Sequence, residues 1–296
     1  MKRMVQACIE HTMRPAGALQ PGARASRFLT RHSVGCALSA LFCASVLGWC
    51  CWYNEHRVLS WRETLSPIYW WHRWRGEDFF IADQALLMHG NHSLPEVALT
   101  FDDGPHPISR QRILDTLWHY HVHATFFDVG KNMARYPDLV RRTLAQGNEI
   151  GNHSANHQRL DNLPATELHH EINDADITFF RITGQHLKLL RPPGMRYNTG
   201  VLKDARDMGY VVVGYTTASK DFNPNETAQF IARRTIDRTE NGSIILLHDY
   251  VTTAAALPAI LQELRARGFA CVTVSEMITH LPLRARLPAE RILRAQ

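Results

Sequence analysis

Cysteine is scarce in most of this 296-residue chain. Five of the six cysteines fall within the first 51 residues, and only Cys271 lies beyond them. A single cysteine cannot form an internal disulfide, which excludes a small disulfide-held scaffold for residues 54–296. Since 45% of all residues are apolar, this part of the chain has to be stabilised by a hydrophobic core.

An excess of charge of one sign is also missing from residues 54–296. The chain has 33 Lys and Arg against 28 Asp and Glu, but six of the basic residues and one acidic residue lie in residues 1–53. The remainder therefore has 27 of each and no net charge. Because a polyanion-binding protein concentrates positive charge, we predict no nucleic-acid partner. The sequence indicates no protein partner either.

Formal charge is absent from residues 33–53. A helix of 21 residues, at about 1.5 Å per residue, covers the roughly 30 Å apolar core of a bilayer. The basic excess before it places the N-terminus in the cytoplasm. A cleaved signal peptide is the alternative, but residues 49–53 are Trp-Cys-Cys-Trp-Tyr, where cleavage requires small residues. We therefore predict a single-pass anchor in the bacterial inner (cytoplasmic) membrane, with the following residues extracytoplasmic or periplasmic.

The chain divides into five predicted segments by composition. The segment after the anchor is rich in Trp and Tyr, and a regular pattern begins only after Pro95. The last segment is basic, and we expect it to be a solvated end. The predicted segments are a cytoplasmic basic tail (1–32), a transmembrane signal anchor (33–53), an aromatic-rich connector (54–95), a globular domain (96–280) and a basic C-terminal tail (281–296).

Short apolar runs alternate with helical stretches through the predicted globular domain. Seven such strand and helix units in about 185 residues predict an α/β fold with a parallel sheet. A distorted or incomplete (β/α) barrel of about seven parallel strands is the expected closed form, and an open doubly wound sheet is the alternative. The predicted strands are residues 97–101, 124–129, 149–151, 189–191, 210–216, 243–248 and 271–274.

Polar residues whose side chains could bind a metal or transfer a proton follow the predicted strands. In parallel α/β folds, reactive groups collect at the carboxyl ends of the strands. Residues of this kind should therefore lie close together in the folded chain. The residues at these positions are Asp102, Asp103, His153, His157, Arg191, Asp221, His248 and Asp249.

Two adjacent carboxylates, Asp102 and Asp103, stand in the sequence Thr-Phe-Asp-Asp-Gly-Pro. This sequence predicts a tight turn, on which the two side chains point in different directions. One carboxylate can then bind a metal while the other transfers a proton. Asp, Gly and Pro are also ordinary turn formers, so this motif alone does not separate a catalytic role from a structural one.

His153 and His157 are four residues apart, a spacing that predicts both on one face of a helical turn. In a chain with 17 histidines such a pair can be incidental. Together with Asp103, however, it forms a set of two histidines and one carboxylate. That set occupies one side of a metal ion and leaves positions open for water and substrate, which is typical of a catalytic site.

Together these motifs resemble the polysaccharide deacetylase family, also called the NodB-homology domain or carbohydrate esterase family 4. The resemblance covers about residues 96–280 and includes five motifs in order. It implies a hydrolase that removes N-acetyl groups from N-acetylglucosamine-type residues of a cell-wall or exported polysaccharide. The five motifs are residues 100–105, 153–157, 191–194, 221–222 and 246–249.

The resemblance also implies roles for individual residues. Asp103, His153 and His157 match the ligands of a divalent metal, commonly zinc or cobalt. Asp102 matches the general base and His248 the general acid. The remaining matches are Arg191, which pairs with the base; Asp221, which pairs with the acid; Gly194, whose main-chain N–H faces the oxyanion; Leu246, which lines the acetyl-methyl pocket; and Phe222, which forms an apolar wall.

Three positions depart from the family pattern, which often has Tyr at position 194, Trp at 222 and an acidic residue at 218. The sugar-binding groove is therefore the least defined part of the resemblance. An O-acetyl esterase or a lipid-linked sugar deformylase remains an alternative on the same fold. A non-catalytic, membrane-tethered glycan-binding module is another, although binding alone requires no general acid at His248.

Overall fold

The computed structural model describes residues 80–81 and 84–294. All of them belong to the second of two compact units, Asn54–Gln296. The predicted cytoplasmic tail, membrane anchor and most of the connector lie outside the described residues. Within the part that is described, no helix is both long and apolar enough to span a bilayer.

The described strands form one ten-stranded sheet. The strands are β1 Phe80–Ile81, β2 Leu86–Leu87, β3 Glu96–Gly104, β4 Thr125–Asp128, β5 Glu149–Asn152, β6 Leu189–Leu190, β7 Val211–Val213, β8 Thr217–Ala218, β9 Ser243–His248 and β10 Ala270–Val272. Their order is β1-β2-β7-β6-β5-β4-β3-β9-β8, and β10 pairs with the start of β3. Every pairing is parallel except that of β1 with β2.

Helices connect most of the successive parallel strands, as the sequence predicts; the connections from β2 to β3 and from β7 to β8 contain no helix. Two short 3₁₀ turns, Leu160–Asn162 and Pro193–Met195, lie in the connections around β6. The prediction of an incomplete barrel of parallel strands is confirmed. The helices are α1 Ser109–Tyr120, α2 Gly130–Arg135, α3 Pro137–Ala145, α4 Ala165–Thr183, α5 Thr199–Asp207, α6 Ala228–Asp237, α7 Val251–Ala266, α8 Val274–Thr279 and α9 Leu283–Arg294.

All seven predicted strands are present, with ends that differ by up to three residues. The sequence analysis missed β1, β2 and β8, each of which has only two residues. Two residues cannot show the alternation that identifies a strand in a sequence. Backbone pairing with neighbouring strands defines them in the fold: β2 pairs with β7, β8 pairs with β9, and β1 pairs with β2.

The core has two parts, one on each face of the sheet. Along β3, Val97, Leu99 and Phe101 belong to one apolar cluster, whereas Ala98 belongs to the other. This alternation follows from the two-residue period of a strand. Most of the connecting helices cover the first face, while α8 and Ala289 of α9 pack against the second.

The C-terminal segment differs from the solvated tail that the sequence predicts. Residues from Leu283 to Arg294 form α9, in which Ala289 is fully buried. Ala285, Ile292 and Leu293 are partly buried against the same cluster. These apolar residues recur at spacings of three and four, so they share one face of a helix. The basic residues between them hid this pattern in the sequence.

A buried arginine connects α1 to the carboxyl edge of the sheet. Arg110 has no solvent exposure, and its guanidinium donates to both carboxylate oxygens of Asp128 and, at 2.9 Å, to Asp249 Oδ2. It also lies 4.0 Å from the centre of the Phe126 ring. A Cβ atom on Gly104 would overlap this guanidinium, so the glycine after the two aspartates allows the network to form.

Replacing Arg110 should destabilise the fold strongly. Arg110→Met leaves Asp128 and Asp249 buried without their partner, and breaking a buried ion pair in this way costs about 3–5 kcal/mol. The matched control is Arg141→Met, since Arg141 pairs with Asp138 on the surface, where the two side chains are 55% and 95% exposed. The control should remain close to the parent. Urea unfolding followed by circular dichroism measures both, and equal free energies of unfolding for the two variants would contradict this account.

Candidate active site and metal centre

The predicted site residues converge at the carboxyl edge of the sheet. Asp102 lies beside His248 in the register of β3 and β9. His153 directly follows β5, and Arg191 directly follows β6. Asp221 comes three residues after β8, a strand that the sequence analysis missed. The parallel order of the strands therefore brings together residues that are up to 146 positions apart in the sequence.

Asp102 and Asp103 lie at the end of β3 rather than on a separate turn. The pairing of β3 with β4 is irregular between Asp102 and Gly104, and Asp103 has a left-handed backbone with φ 69°. Such an irregularity changes the direction of a side chain. Asn132 stabilises it by donating from Nδ2 to the carbonyl of Asp103 at 2.9 Å. The two carboxylates point to different partners, as expected, but the local structure differs from the predicted turn.

His153 and His157 lie close together, but not on a helical turn. Residues 153–157 have irregular backbone, with φ 63° at Ser154 and 64° at His157. Side-chain bonds hold this loop: Asn152 Oδ1 accepts from the N–H of Ser154, and Ser154 Oγ accepts from the N–H of His157. The two ring centres are 5.0 Å apart. The helical prediction is wrong because these local bonds replace the helical ones.

His153, His157 and Asp103 present three potential ligand atoms to one point. His153 Nδ1 donates to the carbonyl of Arg191 at 2.7 Å, which leaves the lone pair of Nε2 directed at the site. Asp103 Oδ1 lies 3.5 Å from His153 Nε2 and 3.0 Å from His157 Nε2. One such atom from each residue lies within 4.8 Å of the others. Two imidazoles and one carboxylate fit a divalent transition metal with open positions.

The charge state of Asp103 suits a metal ligand. Burial works to raise the pKa of Asp103, but hydrogen bonds with His153 and His157, together with positive charge at His153 and His248, outweigh it and hold the pKa below its ordinary value. The carboxylate is therefore ionised at neutral pH, as a ligand must be.

Arg191 fixes the orientation of Asp102. The arginine is fully buried, and its Nη1 donates to Asp102 Oδ1 and to Thr100 Oγ1, both at 2.7 Å. Its other nitrogens donate to the carbonyls of Val213 and Gly214. Asp102 Oδ2 lies on the other side, 3.9 Å from His153 Nε2. One carboxylate oxygen is thus held in place, and the other faces the three potential metal ligands.

His248 forms a second pair with a buried carboxylate. Asp221 Oδ1 is 2.7 Å from His248 Nδ1, while Asp221 Oδ2 accepts from the backbone N–H of His248 and from Thr253 Oγ1, both at 2.6 Å. Burial works to lower the pKa of His248, but the Asp221 carboxylate outweighs it and raises this pKa to about 8. The imidazole is therefore largely protonated at neutral pH.

The predicted substrate-side residues lie on the same edge. Leu246 is two residues before His248 on β9, so both side chains point to the same face. Phe222 is 57% exposed, and its ring centre is 6.0 Å from that of His248. Gly194 lies in a 3₁₀ turn with φ 61°, and a Cβ atom there would meet only the Arg196 side chain, at 3.7 Å. The space beside Gly194 is therefore open.

Sequence reasoning missed one residue that reaches the centre of the site. The hydroxyl of Tyr250 donates to Asp103 Oδ2 at 3.0 Å, and its ring stacks on His248. Tyr250 follows the His248-Asp249 motif directly, but a single tyrosine after a strand has no spacing that identifies a role. The contact with Asp103 joins residues 147 positions apart and became visible only in the fold.

Comparison with known proteins gives a consistent result. The family model for polysaccharide deacetylase matches residues 89–213. A peptidoglycan-N-acetylglucosamine deacetylase of Bacillus cereus is 37% identical over 190 residues, which cover 62% of this chain and 88% of that protein. The peptidoglycan-N-acetylmuramic acid deacetylase PdaC of Bacillus subtilis is 36% identical over 182 residues, which cover 61% of this chain and 38% of PdaC.

A solved structure of PdaC from Bacillus subtilis has the same fold. It superposes with a TM-score of 0.60 at 34% identity, covering 67% of this chain and 96% of that chain. The sequence-based predictions of the family and of an enzyme are therefore confirmed. The chain belongs to the polysaccharide deacetylase family, carbohydrate esterase family 4, and is a hydrolase of that family.

Proposed function

We propose that this enzyme is metal-dependent and removes N-acetyl groups from N-acetylglucosamine-type residues of peptidoglycan. One observation carries the proposal: three potential metal ligands lie between a carboxylate held by an arginine and a histidine held by an aspartate. Amide hydrolysis requires activation of water, stabilisation of an oxyanion and protonation of a leaving nitrogen. The relatives are named as peptidoglycan deacetylases, which supports the choice of polymer.

Asp103, His153 and His157 are the proposed metal ligands. Zinc fits two imidazole nitrogens and one carboxylate oxygen, and cobalt fits the same set. A bound metal would lower the pKa of a water molecule and polarise the acetyl carbonyl. The hydrogen bond from His153 Nδ1 to the Arg191 carbonyl orients one of these ligands, an arrangement that tunes many metal sites.

Asp102 and His248 are the proposed proton-transfer groups. The free oxygen of Asp102 faces the ligands, so it can accept the proton of the attacking water, while Arg191 keeps the carboxylate aimed. With its pKa raised to about 8, His248 is largely protonated at neutral pH, so it can donate to the leaving nitrogen. An ester has a better leaving group, and its cleavage depends less on this acid. The Asp221 pairing therefore favours amide over O-acetyl hydrolysis.

Three further residues have proposed roles toward the acetylated sugar. The backbone N–H of Gly194 would donate to the developing oxyanion. Leu246 would line the pocket for the acetyl methyl group, and Phe222 would form an apolar wall beside the sugar. The exposure of Phe222 next to His248 supports its role.

We further propose that residues 33–53 anchor the enzyme in the bacterial inner membrane, with the catalytic domain outside the cytoplasm. The uncharged 21-residue segment and the basic residues before it support this orientation. Peptidoglycan lies on the same side of that membrane. A periplasmic reporter fused after Gln296 should be active, whereas a fusion active only in the cytoplasm would contradict the proposed topology.

The test of the proposed function separates the two neighbouring aspartates. The parent should contain a divalent metal and release acetate from purified peptidoglycan, and chelation should abolish this activity. Asp103→Asn should lose metal, because a neutral amide is a poorer ligand than a carboxylate. Asp102→Asn should retain metal but turn over roughly 100-fold more slowly or worse, the usual effect of losing a positioned general base.

Metal analysis and acetate release on the same samples check this prediction. The two variants serve as controls for each other, since they make the same chemical change one residue apart. If Asp102→Asn lacked metal and Asp103→Asn retained it, the roles of general base and metal ligand would have to be exchanged between the two residues. Full acetate release by metal-free parent protein would contradict the proposed mechanism.

The dependence of turnover on pH should report the pairing of His248 with Asp221. Because the acid form of His248 is required, kcat should fall as the pH rises through about 8. Asp221→Asn removes the charge that raises this pKa, so the fall should begin at lower pH. The matched control is Asp176→Asn, which removes the partner of the exposed His186. Identical alkaline limbs for the parent and Asp221→Asn would exclude His248 as the acid.

A further inference from the structure

Tyr250 contacts both a proposed metal ligand, Asp103, and the proposed proton donor, His248. Its hydroxyl donates to Asp103 Oδ2 at 3.0 Å, while its ring lies nearly parallel to that of His248, with 5.3 Å between centres and 8° between planes. The residue stands immediately before α7, and its backbone N–H donates to the carbonyl of His248 at 2.8 Å. The start of α7 therefore fixes where the ring lies.

The two oxygens of Asp103 have different neighbours. Oδ1 faces His153 and His157, at 3.5 and 3.0 Å from their Nε2 atoms. Oδ2 faces away from the imidazoles and accepts from Tyr250. A carboxylate can rotate about its Cβ–Cγ bond, and the Asp103 side chain is 28% exposed, so surrounding atoms restrict it only in part. The phenol bond to Oδ2 opposes this rotation and keeps Oδ1 directed at the histidines.

We propose that Tyr250 is a positioning residue of the metal centre, whose hydroxyl holds the Asp103 carboxylate with Oδ1 toward His153 and His157. The inference rests on the proposed function only in taking these three residues as the metal ligands. It does not depend on the identity of the glycan.

The three successive residues His248, Asp249 and Tyr250 contact different parts of the site. His248 faces Asp221, and Asp249 points into the Arg110 network beneath the site. Tyr250 then reaches across to Asp103. Each side chain of this segment thus orients or carries a different part of the site, and only Tyr250 contacts a proposed metal ligand. Loss of its hydroxyl should therefore weaken metal binding and leave the proton donor His248 unchanged.

Tyr250→Phe isolates the hydroxyl, because it keeps the ring that stacks on His248. The experiment measures zinc affinity of the full chain by competition with a chromophoric chelator, and the visible absorption of the Co²⁺-loaded protein. Zinc affinity should fall by roughly 10–100-fold, the usual effect of removing a hydrogen bond to a metal ligand. The Co²⁺ bands, which report ligand geometry, should change.

Tyr120→Phe is the matched control, since the Tyr120 hydroxyl accepts a hydrogen bond from Gln262 at the far end of α1. It should bind zinc as the parent does. The alkaline limb of the kcat profile should be unchanged in Tyr250→Phe, because the pairing of His248 with Asp221 is intact. A shifted limb would show that the hydroxyl acts on the acid instead, which would overturn the proposal.

The outcomes separate this inference from the proposed function. Tyr250→Phe with zinc affinity within about twofold of the parent and unchanged Co²⁺ bands would overturn the positioning role, even in a fully active enzyme. A parent that binds zinc but releases no acetate from any acetylated glycan would refute the proposed function, while the affinity comparison would still decide the role of Tyr250. A parent that binds no divalent metal would overturn both.

Discussion

An irregularity of the backbone at the end of β3 sends two neighbouring carboxylates to different partners. In a regular strand, Asp103 would share a face with Phe101 and enter the apolar cluster beneath the helices. The left-handed φ of 69° at Asp103 prevents this. Both carboxylates therefore stay at the carboxyl edge, where Asp102 meets Arg191 and Asp103 meets the two histidines. The proposed separation of proton transfer from metal binding depends on this local geometry.

Two fully buried arginines hold the carboxylates of this edge in place, one on each side of the sheet. Arg191 lies 4.2 Å from the centre of the Phe127 ring, and Arg110 lies 4.0 Å from that of Phe126. Because these phenylalanines are adjacent on β4, their rings occupy opposite faces. Arg110 pairs with Asp128 and Asp249, and Arg191 pairs with Asp102. Without these partners, burial of the two charges would be costly. Fixed charges of this kind need little reorganisation during a reaction.

The sequence predicts the longer strands and the place of the site, because both depend on local patterns. Apolar runs identify β3 and β9, and the carboxyl ends of parallel strands bring the motifs together. Local backbone was harder to predict. The loop of His153 and His157 depends on hydrogen bonds of Asn152 and Ser154, which spacing does not reveal. The contact of Tyr250 depends on the pairing of β3 with β9 and on where α7 begins, so no local pattern could indicate it.

The residues proposed for proton transfer and those proposed to face the glycan are under different physical constraints. The groups proposed for proton transfer are held by buried partners. A small displacement of either group would change its position relative to the proposed metal ligands. The residues proposed to face the glycan are held less tightly: Phe222 is largely exposed, and Gly194 has no side chain and lies beside open space. These are also the positions where the chain departs from the family pattern. Tyr250 combines both properties: it contacts Asp103 and His248 in the proposed catalytic centre, and it is itself 36% exposed.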